Sequence, residues 1–141
     1  MITSCRQMVF WGYWFPAVAY AVAIFVQSSF PVTDALPVFD FSDKLFHCLG
    51  YGLMGMLLFR AFFKSTPHWS LKKRWMVSAA LAALYGASDE IHQSFVPSRS
   101  ADWMDFAADA MGGALGATAC FLIVRGWGRA RNGRNGGTAQ V

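Results

Sequence analysis

Residues 43–63 of the chain read DKLFHCLGYGLMGMLLFRAFF. This stretch is apolar except near its ends, where it carries Asp43, Lys44 and His47 on one side and Arg60 on the other. A helix needs about 20 mainly apolar residues to cross the hydrocarbon core of a bilayer. The stretch therefore predicts a membrane-spanning helix with one acidic end and one basic end.

Three more apolar stretches of similar length occur at about residues 9–28, 75–93 and 103–124. The chain of 141 residues is 55% hydrophobic and 14% charged, whereas soluble domains carry about 25% charged residues. No alternating pattern of strand length stands out. We therefore expect an all-α fold, a four-transmembrane-helix bundle, with both termini on the same side of the membrane.

The charged residues are segregated between the two sides of this predicted bundle. All eight carboxylates lie in two zones: Asp34, Asp40 and Asp43, then Asp89, Glu90, Asp102, Asp105 and Asp109. Ten of the twelve cationic residues lie elsewhere: Arg6, Arg60, Lys64, Lys72, Lys73, Arg74, Arg125, Arg129, Arg131 and Arg134. Because loops rich in Lys and Arg stay in the cytoplasm, the pattern predicts cytoplasmic termini. The two remaining cations, Lys44 and Arg99, lie beside the acids.

The predicted organisation is one transmembrane domain, residues 1–125, followed by a disordered basic cytoplasmic tail, residues 126–141. The first apolar stretch is longer than the hydrophobic region of a signal peptide, so we expect it to remain as a span. We attribute the net charge of +4 to contact with anionic lipid headgroups and expect no nucleic-acid partner. The chain has no cofactor-binding fingerprint and no paired cysteine spacing, so no cofactor is expected.

Polar residues recur at helical spacing near the outer ends of three predicted helices. Residues four apart share a helix face, and three pairs do so: Asp43 with His47, Asp89 with Gln93, and Asp105 with Asp109. A rise of about 1.5 Å per residue brings His47, Asp89 and Asp109 to one depth, while Glu90 lies about 100° around from Asp89. A charge facing lipid costs at least ~2.5–3.5 kcal/mol. We therefore expect His47, Asp89 and Asp109 to converge between the helices or on a water-filled outer pocket.

Small residues accompany these polar positions. Gly112 and Gly116 form a GxxxG pattern on the fourth span, and Ala82 and Gly86 lie one turn apart on the third. Such residues let helix backbones approach closely in a membrane. They favour tight packing directly below the predicted polar site.

Three motifs carry a family resemblance. They are Asp43-Lys44-x-x-His47-x-x-x-Tyr51, Tyr85-x-x-x-Asp89-Glu90-x-x-Gln93-x-Phe95-x-Pro97-x-Arg99, and Asp105-x-x-x-Asp109-x-x-Gly112-Gly113. In this order, over about residues 43–116, they resemble the VanZ-like family of small integral membrane proteins. Asp109 stands where many relatives carry Asn, and Cys48 stands where an aromatic residue is common.

The resemblance implies a multi-pass protein of the bacterial cytoplasmic (inner) membrane that acts in the cell envelope and has a polar site on its outer side. The family is named for a protein associated with low-level teicoplanin resistance, so a link to glycopeptide resistance is implied, without a reaction. Three functions stay open: a factor that engages an envelope ligand, a membrane-embedded enzyme acting on a lipid-linked substrate, and a scaffold or transport accessory protein.

The candidate site residues divide by chemistry. The catalytic candidates are Asp43, His47, Asp89 and Glu90, and the binding candidates are Lys44, Gln93, Arg99, Asp105 and Asp109. Asp43 can hold the His47 ring for general-base work, or the two can be a structural pair. Arg99 can grip a phosphate or carboxylate of a lipid-linked or glycopeptide ligand, or it can neutralise the acids together with Lys44.

Metal binding is a weaker alternative for the same residues. Carboxylates suit hard divalent cations, which could be held by four acids: Asp89, Glu90, Asp105 and Asp109. A transition metal becomes possible if His47 joins them. No metal-binding motif supports either reading, and no metal is expected.

Overall fold

The computed structural model of the chain describes residues 7–31 and 42–136, which are largely helical. The helices are α1 (Phe15–Ser28), α2 (Ser42–Ser65), α3 (Leu71–Gln93) and α4 (Trp103–Gly136). A π-helical turn, Phe10–Trp14, precedes α1. Within these two ranges there is no β-strand, so the all-α prediction is confirmed for them. Arg6, Cys5 and the predicted outer loop with Asp34 and Asp40 lie outside the described residues.

Three helical segments are long and apolar enough to cross a membrane: Gln7–Ser28, Ser42–Ser65 and Trp103–Arg131. The predicted third span falls on α3, which is not among these three because both of its ends are charged. It carries Lys72, Lys73 and Arg74 in its first turn and Asp89 and Glu90 in its last turns. Its 23 residues nevertheless give a length of about 35 Å. The four-span count and the side on which the termini lie remain predictions.

The ends of α3 and α4 are fixed by polar side chains. Ser70 caps α3 by accepting a hydrogen bond from the Lys73 backbone N–H at 3.2 Å, and Asp102 caps α4 by accepting one from the Met104 N–H at 2.8 Å. Ser and Asp are preferred at this position because the first N–H groups of a helix lack partners. These two caps set where each helix enters the bundle.

Arg74 holds the connection between α2 and α3. Its guanidinium donates to the Thr66 carbonyl at 2.7 and 3.1 Å and to the Pro67 carbonyl at 3.0 Å. The residue is only 7% exposed. Arg74, one of the cations on which the topology prediction rests, therefore also satisfies backbone carbonyls of the loop that follows α2.

Glycine backbones make the seam between α2 and α4, which is the most extensive helix pair. A Cβ atom at Gly116 would overlap the carbonyl oxygen of Gly52, and one at Gly55 would overlap that of Gly113. The packing predicted from the GxxxG pattern is therefore present, and only glycine allows this approach. α3 packs against both α2 and α4, with the bundle interior between them.

α1 lies beside the other three helices and touches them less extensively. The Tyr20 hydroxyl donates to the Gly50 carbonyl at 3.1 Å, and the Tyr85 hydroxyl donates to the Ala21 carbonyl at 2.6 Å. The outward faces of the helices are apolar and exposed, for example at Val22, Phe46, Leu84, Leu115 and Leu122. Such a surface suits a lipid environment.

α4 continues past the predicted domain boundary at residue 125. Residues 126–136, predicted to belong to a disordered tail, are helical, and residues 137–141 lie outside the described residues. Extending an existing helix costs far less than starting one, and Arg129, Ala130 and Arg131 have high helix propensity. Helix α4 therefore extends at least to Gly136, and the division into domain and tail stays a prediction.

Candidate functional site

Polar side chains gather where α2 and α4 begin and α3 ends. We distinguish a buried cluster, made of His47, Tyr51, Asp89, Glu90 and Asp109, from a rim, made of Asp43, Lys44, Asp102 and Asp105. Asp109 is 0% exposed, whereas the Asp43 side chain is 58% exposed. The polar edges predicted on three separate helices therefore meet at one end of the bundle.

His47 and Asp109 form the central contact of the buried cluster. Nδ1 of His47 lies 2.9 Å from Oδ1 of Asp109. The structure does not make the pair of His47 with Asp43 that the four-residue spacing suggested, since Asp43 accepts a hydrogen bond from Lys44 at 3.0 Å. Gly112, one turn below Asp109, packs on the Cys48 backbone beside His47. This close approach of α4 brings Asp109 to the imidazole.

Glu90 is the third member of this contact group. His47, Glu90 and Asp109 each offer a potential ligand atom, and these atoms lie within 4.8 Å of one another. Glu90 is 5% exposed, and its Oε2 accepts a hydrogen bond from the Asp102 N–H at 2.9 Å. The sequence placed Asp89 here instead; Asp89 is equally buried but lies outside the group. The rotation of α3 about its own axis decides between these neighbours, and residue spacing does not fix that rotation.

Lys44 organises the rim. Its ammonium donates to Asp43 at 3.0 Å, to Asp102 at 3.2 Å and to Asp105 at 2.9 Å. The Met104 N–H and the Lys44 ammonium together lower the pKa of the Asp102 carboxyl. The predicted neutralisation of acids by Lys44 is therefore present for the three rim acids. Asp102 was missed as a site residue, although an Asp directly before a helix is a recognisable capping signal.

Gln93 connects Asp89 to Arg99. The Gln93 amide donates to Asp89 Oδ2 at 3.1 Å, and its oxygen accepts from Arg99 at 2.9 Å. Arg99 also donates to the Phe30 carbonyl at 3.0 Å. Among residues 7–31 and 42–136 Arg99 contacts no carboxylate, so it does not share the neutralising role of Lys44.

Four buried polar atoms have no hydrogen-bond partner within the described part of the chain: Tyr51 Oη, Asp89 Oδ1, Glu90 Oε1 and Asp109 Oδ2. An unpaired buried polar group costs about 1–3 kcal/mol. All four belong to the buried cluster, so this cost is concentrated at one place. Tyr51 was not among the predicted site residues, although it lies four residues after His47 on the same face of α2.

The cavity formed at the other end of the bundle is of a different kind. It has a volume of about 340 Å³ and is lined mainly by apolar side chains, with Arg60 and Lys64 at its edge. The Arg60 guanidinium lies 5.5 Å from the centre of the Tyr13 ring. Among the described residues, none of the acids lines this cavity. The side of the membrane that this basic, aromatic end faces remains a prediction.

The buried cluster can perform two kinds of chemistry. A carboxylate bonded to one imidazole nitrogen orients the ring and leaves the other nitrogen to exchange a proton, which is the basis of general acid–base catalysis. Two carboxylates close together, those of Glu90 and Asp109, can also bind a cation or the N–H and O–H donors of a ligand. Both possibilities use His47, Glu90 and Asp109 at their centre.

Comparison with known families identifies the chain. The VanZ/LLP1 family matches residues 52–124, which is just over half of the sequence, and the chain belongs to this family. The match begins after Asp43 and His47 and includes Asp89, Glu90 and Asp109. Comparisons with curated proteins and with solved structures give no match. The family and the three apolar helical segments together make this a VanZ-like membrane protein.

Proposed function

We propose that this VanZ-like protein acts in the bacterial cell envelope, with the buried cluster facing away from the cytoplasm and engaging an envelope ligand. The observation that carries the proposal is the concentration of unpartnered polar atoms at the acidic end of the bundle. Four such atoms occur there among the described residues. Ionisable groups at membrane depth are energetically costly, and those that occur there commonly mark functional sites.

The distribution of charge supports the outward orientation. Arg60, Lys64 and Arg125 lie at the opposite end of the bundle from the rim acids, and Lys- and Arg-rich loops are retained in the cytoplasm. In this arrangement α3 crosses the membrane as the third of four spans. Its polar residues near the outer end then face α2 and α4 rather than lipid, consistent with the burial of Asp89 and Glu90.

The unpartnered atoms define the chemistry of the ligand. Carboxylate oxygens accept hydrogen bonds, and the Tyr51 hydroxyl both donates and accepts. A ligand with N–H and O–H donors, such as the sugar and peptide groups of a lipid-linked precursor or a glycopeptide, satisfies these atoms. The implied association of the family with glycopeptide resistance agrees with this class.

A second candidate function is enzymatic, and the 2.9 Å contact between His47 and Asp109 favours it. In this reading Asp109 orients the imidazole, and His47 transfers a proton to or from a lipid-linked substrate. Glu90 then serves as the second acid–base group. Incubation of the purified protein with lipid-linked envelope precursors, followed by mass spectrometry, separates the two functions, because only an enzyme converts the precursor.

Cysteine labelling tests the orientation on which both functions depend. In a background without native cysteines, Ser100→Cys lies in the loop between α3 and α4 and His68→Cys in the loop between α2 and α3, both at exposed positions. A membrane-impermeant maleimide added to intact spheroplasts should label position 100 and not position 68. Labelling of both after detergent treatment is the control for accessibility. The reverse pattern places the cluster in the cytoplasm and overturns the proposal.

A further inference from the structure

We infer that His47, Glu90 and Asp109 bind a divalent transition-metal ion. Each residue comes from a different helix, α2, α3 and α4, and their potential ligand atoms lie within 4.8 Å of one another. Zinc ligands lie about 2.0–2.2 Å from the ion, so neighbouring ligands of a tetrahedral ion are roughly 3.3–3.6 Å apart. Side-chain shifts on the order of 1 Å therefore bring the three ligand atoms to one ion.

The charge balance of the cluster supports a bound cation. Lys44 is already engaged by the three rim acids, and Arg99 bonds to the Gln93 amide and the Phe30 carbonyl. Among the residues that the structure describes, this leaves His47 as the sole basic side chain in contact with the buried carboxylates. Buried negative charge without a counter-ion is strongly unfavourable. A divalent cation supplies the missing positive charge.

Unpartnered oxygens point to the same site independently of the charge argument. Glu90 is 5% exposed and Asp109 is 0% exposed. Within the described ranges, Glu90 Oε1 and Asp109 Oδ2 accept no hydrogen bond. The other oxygen of Glu90, Oε2, accepts one from the Asp102 N–H. The other oxygen of Asp109, Oδ1, contacts the His47 ring. Each carboxylate therefore has one oxygen held by protein and one available as a metal ligand. The Asp102 N–H orients Glu90, as outer groups commonly orient metal ligands.

The donor set selects the class of metal. One imidazole nitrogen and two carboxylate oxygens suit Zn²⁺ or Mn²⁺, whereas Ca²⁺ and Mg²⁺ prefer oxygen ligands alone. Three protein ligands leave at least one coordination position open for water or for a group of the envelope ligand. The inference does not depend on the orientation of the protein in the membrane, so it can stand if the proposed function fails.

Metal binding is measured on full-length protein in mild detergent, with any affinity tag removed. The protein is stripped with chelator and titrated separately with Mn²⁺, Zn²⁺ and Mg²⁺ by isothermal calorimetry. Pulsed electron paramagnetic resonance of the Mn²⁺ complex then detects a coordinated nitrogen. The variants are Glu90→Gln and His47→Gln, and Asp43→Asn is the control because it removes a carboxylate from the same end without altering the group.

We expect one saturable site for Mn²⁺ and Zn²⁺, weak or no binding of Mg²⁺, and a nitrogen coupling in the Mn²⁺ spectrum. Loss of an outer-shell partner costs about 10–100-fold in affinity, so Glu90→Gln should weaken binding by at least this factor while Asp43→Asn stays close to the unaltered protein. The coupling should disappear in His47→Gln.

Two results overturn the inference. One is the absence of saturable binding to the unaltered protein, which means that protons rather than a metal neutralise the buried carboxylates. The other is a Mn²⁺ spectrum without nitrogen coupling, which means that the ion sits on the exposed rim acids. Both are read from the unaltered protein, so they hold even if Glu90→Gln fails to fold.

Discussion

The glycine seam between α2 and α4 predicts that alanine substitutions at two glycines of α4 will differ in stability. A Cβ atom at Gly116 would overlap the carbonyl oxygen of Gly52, whereas one at Gly126 has nothing within 4 Å. Both residues lie within α4. The substitutions Gly116→Ala and Gly126→Ala therefore make the same chemical change on one helix, once at the seam and once in open space.

The difference between the two variants isolates the cost of packing. Replacing glycine by alanine within a helix stabilises it by roughly 0.5–1 kcal/mol, and this gain is common to both. Forcing an extra methyl group into a packed interface costs about 1–3 kcal/mol. Because the atom in the way at Gly116 is a backbone oxygen, rotamer changes cannot relieve the overlap. We expect Gly116→Ala to be less stable than Gly126→Ala by about 1–3 kcal/mol.

Unfolding in mixed detergent micelles, followed by tryptophan fluorescence, measures this difference, since the chain has six tryptophans. The comparison is made between the two variants under one condition, so that detergent effects cancel. Equal stability of the two variants, or a more stable Gly116→Ala, would show that α2 and α4 do not pack on these backbones. The placement of Asp109 against His47 would then lose its physical basis.

Three further predictions test other parts of the bundle. In a double-mutant cycle, His47→Phe and Asp109→Leu should each lower the free energy of unfolding by about 3–5 kcal/mol. The double variant should lose less than the sum of the two by ~0.5–3 kcal/mol. Strict additivity would argue against the contact between the two side chains. Arg74→Lys keeps the positive charge but loses the planar guanidinium group, so it should lower the free energy of unfolding by about 1.5–3 kcal/mol without changing the topology. Lys72→Met, at an exposed position, should leave the stability unchanged. A spin label attached at position 130 should show the restricted mobility of a helical site. High mobility of this label would contradict the extension of α4.

The helical class and the polar positions could be predicted from the sequence because both follow from short-range patterns. Apolar stretches of membrane length require helices, and residues four apart share a face whatever surrounds them. The spacing therefore located His47 and Asp109 near the same end of the bundle. The small residues beside them predicted the close seam that the structure contains.

The pairing of side chains could not be predicted in the same way. Asp43 and His47 share a face of α2, yet the Lys44 ammonium holds Asp43 at the rim. Glu90 rather than Asp89 meets His47 because the rotation of α3 depends on its contacts with α2 and α4. These outcomes depend on competition between partners from different helices, which a single sequence does not reveal.

The most direct test of a working site compares function with abundance in cells. Glu90→Gln and Asp89→Asn preserve shape and remove charge from the buried cluster, and Asp43→Asn is the rim control. Sensitivity of a strain expressing each variant to teicoplanin is measured beside the amount of protein in its membranes. We expect the first two variants to lose the envelope phenotype at normal abundance, while Asp43→Asn retains it. If phenotype and abundance fall in parallel for Glu90→Gln and Asp89→Asn, the cluster only stabilises the fold.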